Sequence, residues 1–527
     1  MCINKVIEFT DFMSFYSKYK PLTPYGIEHK DSMPYYTSAE ELDNVHLLTD
    51  KLIDLISSKE NSSLKIENHL SRIDRLNTLD KDVYDIIDIH LIKKFLIHFR
   101  SINTLLTNDI KETIGLNYDF DSVLHALTPD NDNGESFYLS SSFDEKLKAV
   151  RNNIAKLDTE LNAIRQTTLS QIQDQYQLNF NGSEFVLVDK THEELLDAKE
   201  LTCEFYDSHL IKVKPVYGKN YLSKQVEKEQ LLINESEVEK KILNNLSNII
   251  QQKKEQLADA IESIRLLDVT MAKARLALKY KLTKPAYRSD KMMVKQGIYY
   301  PLWEKHQDKK LSYTPLNASF NSNTVLLSGS NMGGKTVLFR TLAFLQLLTQ
   351  LGFRIPATEF NTKVYSAIHI LGTASNNGIE GLSSFGQEIH QLTNALKDHE
   401  TRLLFVDELA KTTNATEAKA ILYAVLKYTT QNKNLNGFYS THFINVPGIE
   451  GVTKYRMKGL NKQAFERHCE QQSDEISEKI RLINAFMQYE IIEDNDKQQA
   501  KDALTIASIL GLQSEIMNYA NDYLERK

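Results

Sequence analysis

The sequence predicts a mixed fold: an α-helical region and a helical arm with a small β tip come first, and an α/β domain follows. Three observations predict it. Only ten prolines and nineteen glycines occur in 527 residues, while Leu, Ile, Lys, Glu and Gln abound, a composition that favours helix. Apolar residues step by three and four through much of the first half, the period of an amphipathic helix. After Pro285, short apolar strands alternate with amphipathic helices, the pattern of a mainly parallel sheet. A chain of this length exceeds one core and divides into about three units, expected at 1–135, 136–280 with a tip at about 180–222, and 281–527.

In the first unit, Thr23-Pro24 before Tyr25-Gly26 is a turn and helix-start signal. Leu42, Val45, Leu48, Leu52 and Leu55 form one apolar stripe, and Ile86, Ile87, Ile89, Leu91, Ile92 and Leu96 another. Residues 129–142, polar and rich in Asn, Asp and Ser, read as a connector. Leu147, Val150, Ile154, Leu157, Leu161 and Ile164 then make an unbroken a/d seam. A single helix over roughly 224–280, free of proline and glycine, offers Val238, Ile242, Leu246, Ile249, Leu257, Ile261 and Ile264 as its partner face. Between the two helices, Glu184–Val188 and His209–Lys214 alternate like strands, with Pro215 and Gly218 as punctuation.

Bulk properties narrow the function. The apolar run Val337–Leu348 stops after about a dozen residues, short of the roughly 20 that a bilayer demands. The first residues lack a basic start followed by an apolar core, so no secretory leader is expected. Cys2, Cys203 and Cys469 form neither a metal nor a disulfide pattern, which fits a reducing cytoplasm. The net charge of −7, from 63 basic and 70 acidic residues, lacks the overall basic excess of a protein built to neutralise phosphates.

The chemistry-bearing residues lie in the last unit. Thr324-Val325-Leu326-Leu327 reads as a buried strand and runs into Gly329-Ser330-Asn331-Met332-Gly333-Gly334-Lys335-Thr336, after which Val337–Gln350 reads as a helix. Strand, glycine loop and helix occur in the order a P-loop NTPase needs. The glycines let successive N–H groups face phosphates at a helix N-terminus. Lys335 is expected at the β- and γ-phosphates and Thr336 at Mg²⁺. Leu403-Leu404-Phe405-Val406-Asp407-Glu408 comes 72 residues after Lys335. Its strand delivers Asp407 to the metal, and Glu408 is placed to orient or deprotonate the attacking water. An Asn-Lys-x-Asp guanine-reading motif does not occur, which favours ATP over GTP. His442, in Ser440-Thr441-His442-Phe443 after another short strand, is a candidate for the γ-phosphate region. Ser383 and Ser384, in Gly381-Leu382-Ser383-Ser384-Phe385-Gly386-Gln387-Glu388, suit either a phosphate contact or an ordinary helix N-cap.

Together these residues resemble the MutS family of DNA mismatch repair, whose ATPase is of the ABC kind. The Asn331-Met332-Gly333-Gly334 core is close to the family's Gly-Pro-Asn-Met-Gly-Gly-Lys-Ser loop. Leu267-Asp268 with Ala272, Ala274, Ala277, Tyr280 and Lys284-Pro285 is similar to its helix leading into the ATPase. Ser383-Ser384-Phe385 with Glu388 resembles a segment that in the family contacts the nucleotide of the opposite subunit. Asp407-Glu408-Leu409 with Thr413–Glu417 resembles its extended Walker B region, and Ala507–Leu512 with Ile516 its C-terminal helical segment. The resemblance implies lever helices in 1–135, a helical arm with a clamp-like tip, and an ATPase of composite sites in a homodimer or MutS-like heterodimer acting on double-stranded DNA. Two departures stand out. Ala410-Lys411-Thr412 replaces the family's Gly-Arg-Gly. The lever-like sequence begins near residue 20, so the resemblance is to a short form without the N-terminal mismatch-recognition domain, and Phe143-Asp144-Glu145 sits where a helix cap is expected. From Asn181 to Lys228 there are seven Lys, no Arg and nine acidic residues, a poor surface for a duplex. Short MutS-like chains also occur as reactivating ATPases for adenosylcobalamin-dependent lysine aminomutases, and Pro21–Gly26, Gly381–Glu388 and Met487-Gln488-Tyr489 resemble that subgroup. An aminomutase is therefore the alternative partner.

Overall fold

The computed structural model describes all residues except 1, 78, 131–133, 330–333, 373–381, 398–399, 412, 444–445, 462–464, 466–482, 484, 495–501 and 526–527. The chain packs as two units, one of residues 1–67, 107–114 and 265–527, the other of 68–106 and 115–264. The fold is mixed helical and α/β, as expected. Among the described residues the strands are β1 (Val186–Asp189), β2 (Leu201–Phe205), β3 (Leu210–Pro215), β4 (Arg288–Gly297), β5 (Leu316–Phe320), β6 (Thr324–Ser328), β7 (Glu359–Lys363), β8 (Ala367–Leu371), β9 (Arg402–Asp407), β10 (Leu435–Ser440), β11 (Val452–Leu460) and β12 (Met487–Glu493).

The first unit is built on a six-stranded sheet of order β12-β11-β6-β10-β9-β8. All its neighbours are parallel except β11 with β12. Its strands are apolar on both faces because both are covered. Val325, Leu327, Leu403, Phe405 and Phe438 enter one core, and Leu326, Leu404, Val406 and Tyr439 enter the other. The helix Lys335–Gln350 lies in the first core, and every residue from Thr341 to Gln350 is buried. The helices Cys2–Phe9 and Phe12–Tyr16 pack onto it, with Phe12 and Phe15 ring centroids 5.9 and 5.6 Å from Phe344. Full burial of each such ring is worth about 1.5–3 kcal/mol. A smaller antiparallel sheet, β5-β4-β7, completes this core.

Thr23 begins the helix Pro24–Ser32 by accepting from the Gly26 N–H, as its position before proline predicts. The Asp268 carboxylate then fastens this corner, accepting from Leu22 N, Thr23 N and the Thr23 hydroxyl at 2.7–3.1 Å. A side chain on Gly26 would run into that carboxylate.

In the second unit the helices Glu145–Tyr176 and Lys219–Gln251 bury Leu147, Val150, Leu157 and Leu161 with Val238, Ile242 and Leu246. Arg151 bonds Glu235 and Glu239, Lys228 bonds Asp158 and Lys224 bonds Glu160. Rising numbers on one helix meet falling numbers on the other, so the pair is antiparallel. Asp144 caps the first helix through the Lys146 N–H, the role expected of it. At the far end β1-β3-β2 forms an antiparallel sheet over Ile172, Phe180, Leu195, Ile211 and Val213. β2 was absent from the expected strands.

Two further expectations change. The single helix over 224–280 is two, Lys219–Gln251 and Lys254–Tyr280. No proline or glycine marks the break; the Gln251 side chain instead bonds the Lys81 carbonyl and the Tyr84 hydroxyl. On the first of these helices Ile250 is fully buried and Ile249 half-buried. Ile86 and Ile87 are exposed at the start of the helix Ile86–Leu105, whose buried face runs through Ile89, Ile92 and Leu96.

Candidate functional site

Parallel pairing decides what meets at the carboxyl ends of the central strands, where ligands bind in such sheets. β10 lies between β6 and β9, with Ser440 in register with Leu327 on one side and Asp407 on the other. β6 therefore ends, one residue before Gly329, at the same edge of the sheet as Asp407 with only β10 between the two strands, although 78 residues separate Gly329 from Asp407 in sequence. Gly334 is the N-cap of the helix Lys335–Gln350, with φ of 92°, a left-handed conformation that favours glycine. The Tyr489 ring of β12 would stand 3.1 Å from any Cβ placed there. Of the expected cradle, Gly329, Gly334, Lys335 and Thr336 are described; Ser330, Asn331, Met332 and Gly333 lie outside the described residues.

The Thr336 hydroxyl donates to Asp407 Oδ2 at 2.8 Å. The Ser440 hydroxyl donates to Asp407 Oδ1 at 2.5 Å and accepts from the Glu408 N–H at 3.0 Å. Asp407 is thus gripped on both oxygens. Gly372, at the end of β8, allows the neighbouring chain to approach, since a Cβ there would lie 1.8 Å from the Asp407 carbonyl oxygen. Directly after Asp407 the backbone turns sharply, with φ of 57° at Glu408 and 58° at Ala410. Each non-glycine residue in that region costs on the order of 1–2 kcal/mol. The turn brings the Glu408 carboxylate to 4.0 Å from Lys335 Nζ and 3.9 Å from His442 Nδ1. Lys335 is 3% exposed and donates to the Gly329 carbonyl. Burial pushes its ammonium below the usual lysine range, against the pull of Glu408 and Asp407. His442 is about half exposed and its ring packs beside Phe443.

Two hard oxygen groups 2.8 Å apart, Thr336 Oγ1 and Asp407 Oδ2, fit a magnesium ion that takes few protein ligands and completes its shell with phosphate and water. No cluster of three or more His, Cys, Asp or Glu side chains fit to hold a metal by themselves occurs among the described residues. The buried Lys335 ammonium at a helix N-terminus fits a phosphate.

Ser383 and Ser384 sit at the start of the helix Ser384–Lys397, where the Ser383 hydroxyl accepts from the Gly386 N–H at 3.1 Å. Ser383 is thus an N-cap here. This helix reaches the turn after Asp407 through Glu388, which accepts from the Ala410 N–H at 3.0 Å. Burial pushes the Glu388 carboxyl above the usual carboxylate range, opposed by the Ala410 N–H and the Lys411 charge. Sequence reasoning gave Ser440 and Gly372 no part in the site. Their signal lies in strand order, which no local pattern contains. The hydroxyl of Ser328, at the end of β6, donates to Asp494 Oδ2 at 2.9 Å, a further link that spans 166 residues.

Residues 325–526 match the family model for MutS domain V. The chain is 31% identical over 234 residues to the endonuclease MutS2 of Acetivibrio thermocellus, a match covering 43% of this chain and 28% of that protein. It is 25% identical over 235 residues to the DNA mismatch repair protein MutS of Staphylococcus epidermidis, covering 43% and 27%. It is 24% identical over 342 residues to the protein of that name from Pseudothermotoga lettingae, covering 61% and 39%. The chain therefore spans between about a quarter and two fifths of the length of these relatives. Thr336, Asp407 and Ser440, joined at the strand ends, all fall within residues 325–526, the part of the chain that matches MutS domain V.

Proposed function

We propose that the protein binds and hydrolyses ATP with Mg²⁺. The observation that carries this reading is the Thr336–Asp407–Ser440 chain of hydrogen bonds beside Lys335 and Glu408. In this reading the backbone of Gly329–Thr336 cradles the phosphates, and Lys335 neutralises the β- and γ-oxygens. Thr336 and Asp407 hold the metal, whose charge draws electron density from the phosphates when it is bound. Glu408 orients a water on the γ-phosphorus and takes its proton as the bond to the ADP oxygen breaks. His442, within reach of Glu408, faces the departing phosphate, and Ser383 and Ser384 serve the nucleotide of a second subunit. The reading includes a dimer of composite sites, lever helices in 1–135 and an arm in 136–280 that closes when ATP binds, with 281–527 as the ATPase.

The partner proposed is double-stranded DNA, in a repair role; two of the relatives are named DNA mismatch repair proteins. One observation favours a second reading, remodelling of a protein such as a cobalamin-dependent aminomutase: the tip between Asn181 and Lys228 carries nine acidic residues against seven lysines. ATP turnover is measured alone, with heteroduplex DNA, and with an inactivated aminomutase. Stimulation by DNA supports the first reading and stimulation by the mutase the second. An unchanged rate with both removes both partners.

A further inference from the structure

The helix that begins with Lys335 ends in a set of capped carbonyls, and one cap is unusual. Gly352, with φ of 69°, closes a Schellman turn: Gly352 N–H donates to the Thr349 carbonyl and Phe353 N–H to that of Leu348. The Gln350 carbonyl accepts from Tyr36 N–H at 2.7 Å, and the Gln350 side chain donates to the carbonyls of Tyr36 and Tyr365. The Leu351 carbonyl accepts from Lys273 Nζ at 2.8 Å. Lys273 is 5% exposed and belongs to the helix Lys254–Tyr280. Its ammonium lies 4.8 Å from the Phe353 ring centroid and 5.7 Å from that of Tyr36. Gly352 makes room for it, since a Cβ there would sit 3.1 Å from Nζ. A buried lysine is costly unless its charge is used. Here it meets the negative end of a helix dipole, where a cation is most favourable.

We propose that Lys273 is a positioning residue for the nucleotide site: its ammonium fastens the C-terminal end of the helix Lys335–Gln350 to the helix Lys254–Tyr280, and so sets the direction in which Lys335 and Thr336 are presented. The helix is a rod of 16 residues, about 24 Å long, with every residue from Thr341 to Gln350 buried, so a shift at one end is carried to the other. The proposal rests on the ATPase reading for its catalytic consequence, and on geometry alone for the latch.

Burial brings the Lys273 ammonium down to about 7, so the latch loses its charge within an accessible pH range. The ionisable groups facing it are known. Tyr16, Tyr19 and His29 line the small cavity of about 10 Å³ beside it, and Tyr36 faces it from the same segment. His46 feels its charge from the helix Ala39–Ser58. Asp268 and Arg265 lie on its own helix.

The test compares the wild-type chain with Lys273→Met and Lys273→Arg. Amide exchange at Gly352 and Phe353 is expected to be at least tenfold faster in Lys273→Met than in wild type at pH 6, with the gap closing by pH 9. With Mg·ATP, kcat/KM of Lys273→Met is expected to be about tenfold below wild type at pH 6 and within twofold at pH 9. Lys273→Arg, always charged, should lack the limb near pH 7. Equal amide protection in wild type and Lys273→Met overturns the latch, whatever the protein does with ATP. Equal kcat/KM at pH 6 with altered exchange overturns the positioning role. If Lys273→Met does not fold, a limb near pH 7 that persists in Lys273→Arg overturns the proposal, and its loss supports it. A wild type that exchanges as expected but neither binds nor cleaves ATP removes the ATPase reading and leaves the latch standing.

Discussion

Replacing Ser440 by alanine removes one oxygen that does two jobs. Its hydroxyl donates to Asp407 Oδ1 and accepts from the Glu408 N–H, and the side chain is 1% exposed. A hydrogen bond to a carboxylate is worth about 1.5–3 kcal/mol, and a buried N–H left without an acceptor costs about 1–3 kcal/mol. Both losses fall on one atom and do not add fully, so the expected destabilisation is about 2–4 kcal/mol, a large share of the roughly 5–15 kcal/mol of a typical domain. Among the described residues, the Asp407 carboxylate then keeps the hydrogen bond from Thr336 and loses the one from Ser440 that fixes its rotation about Cβ–Cγ. The concentration of Mg²⁺ that half-saturates ATP binding should rise about tenfold, which is about 1.4 kcal/mol. Urea denaturation gives the first quantity and ATP binding titrated with Mg²⁺ the second. Wild-type values for both in Ser440→Ala would refute the argument that Ser440 orients Asp407.

Other perturbations probe separate features. His46 is fully buried, neither ring nitrogen has a hydrogen-bond partner among the described residues, and burial holds its pKa down to about 3. The unfolded chain therefore takes up a proton near pH 6.5 that the folded chain refuses. Stability is present above pH 6.5 and falls by about 1.4 kcal/mol per unit below it; His46→Leu should flatten that slope in urea titrations at pH 7 and pH 5, and an unchanged slope contradicts the assignment. Arg151→Met removes half-exposed ion pairs to Glu235 and Glu239 and should cost about 1 kcal/mol at low salt and less at 1 M NaCl; a loss that does not depend on salt points to packing instead. Thr336→Val keeps the shape of the side chain and removes the hydroxyl, so ATP should still bind weakly but lose its dependence on Mg²⁺, as calorimetry with and without the metal will show.

The strand and helix that flank the glycine loop, and the strand that ends at Asp407, were legible because local rules suffice there. An apolar run, glycines at fixed spacing and a helix period each leave a mark within about 20 residues. The arm seam was legible for the same reason, with Leu147, Val150, Leu157 and Leu161 buried as the period requires. What escaped depends on distant chain. Ser440 matters because β10 inserts between β6 and β9, and Gly372 because β8 lies against β9. The break at Gln252 follows a side chain, that of Gln251, which reaches back 170 residues to the Lys81 carbonyl. Ile86 and Ile87 looked like core by type alone, whereas the helix period assigns them to the exposed side of the first turn.

Nucleotide handling by the purified chain tests the central claim most directly: calorimetric titration with Mg·ATP, followed by phosphate release, for wild type, Lys335→Ala and Glu408→Gln. The account predicts binding and turnover by wild type, no binding by Lys335→Ala, and binding without turnover by Glu408→Gln. Wild-type protein that is folded yet neither retains nor cleaves ATP at millimolar nucleotide would contradict it.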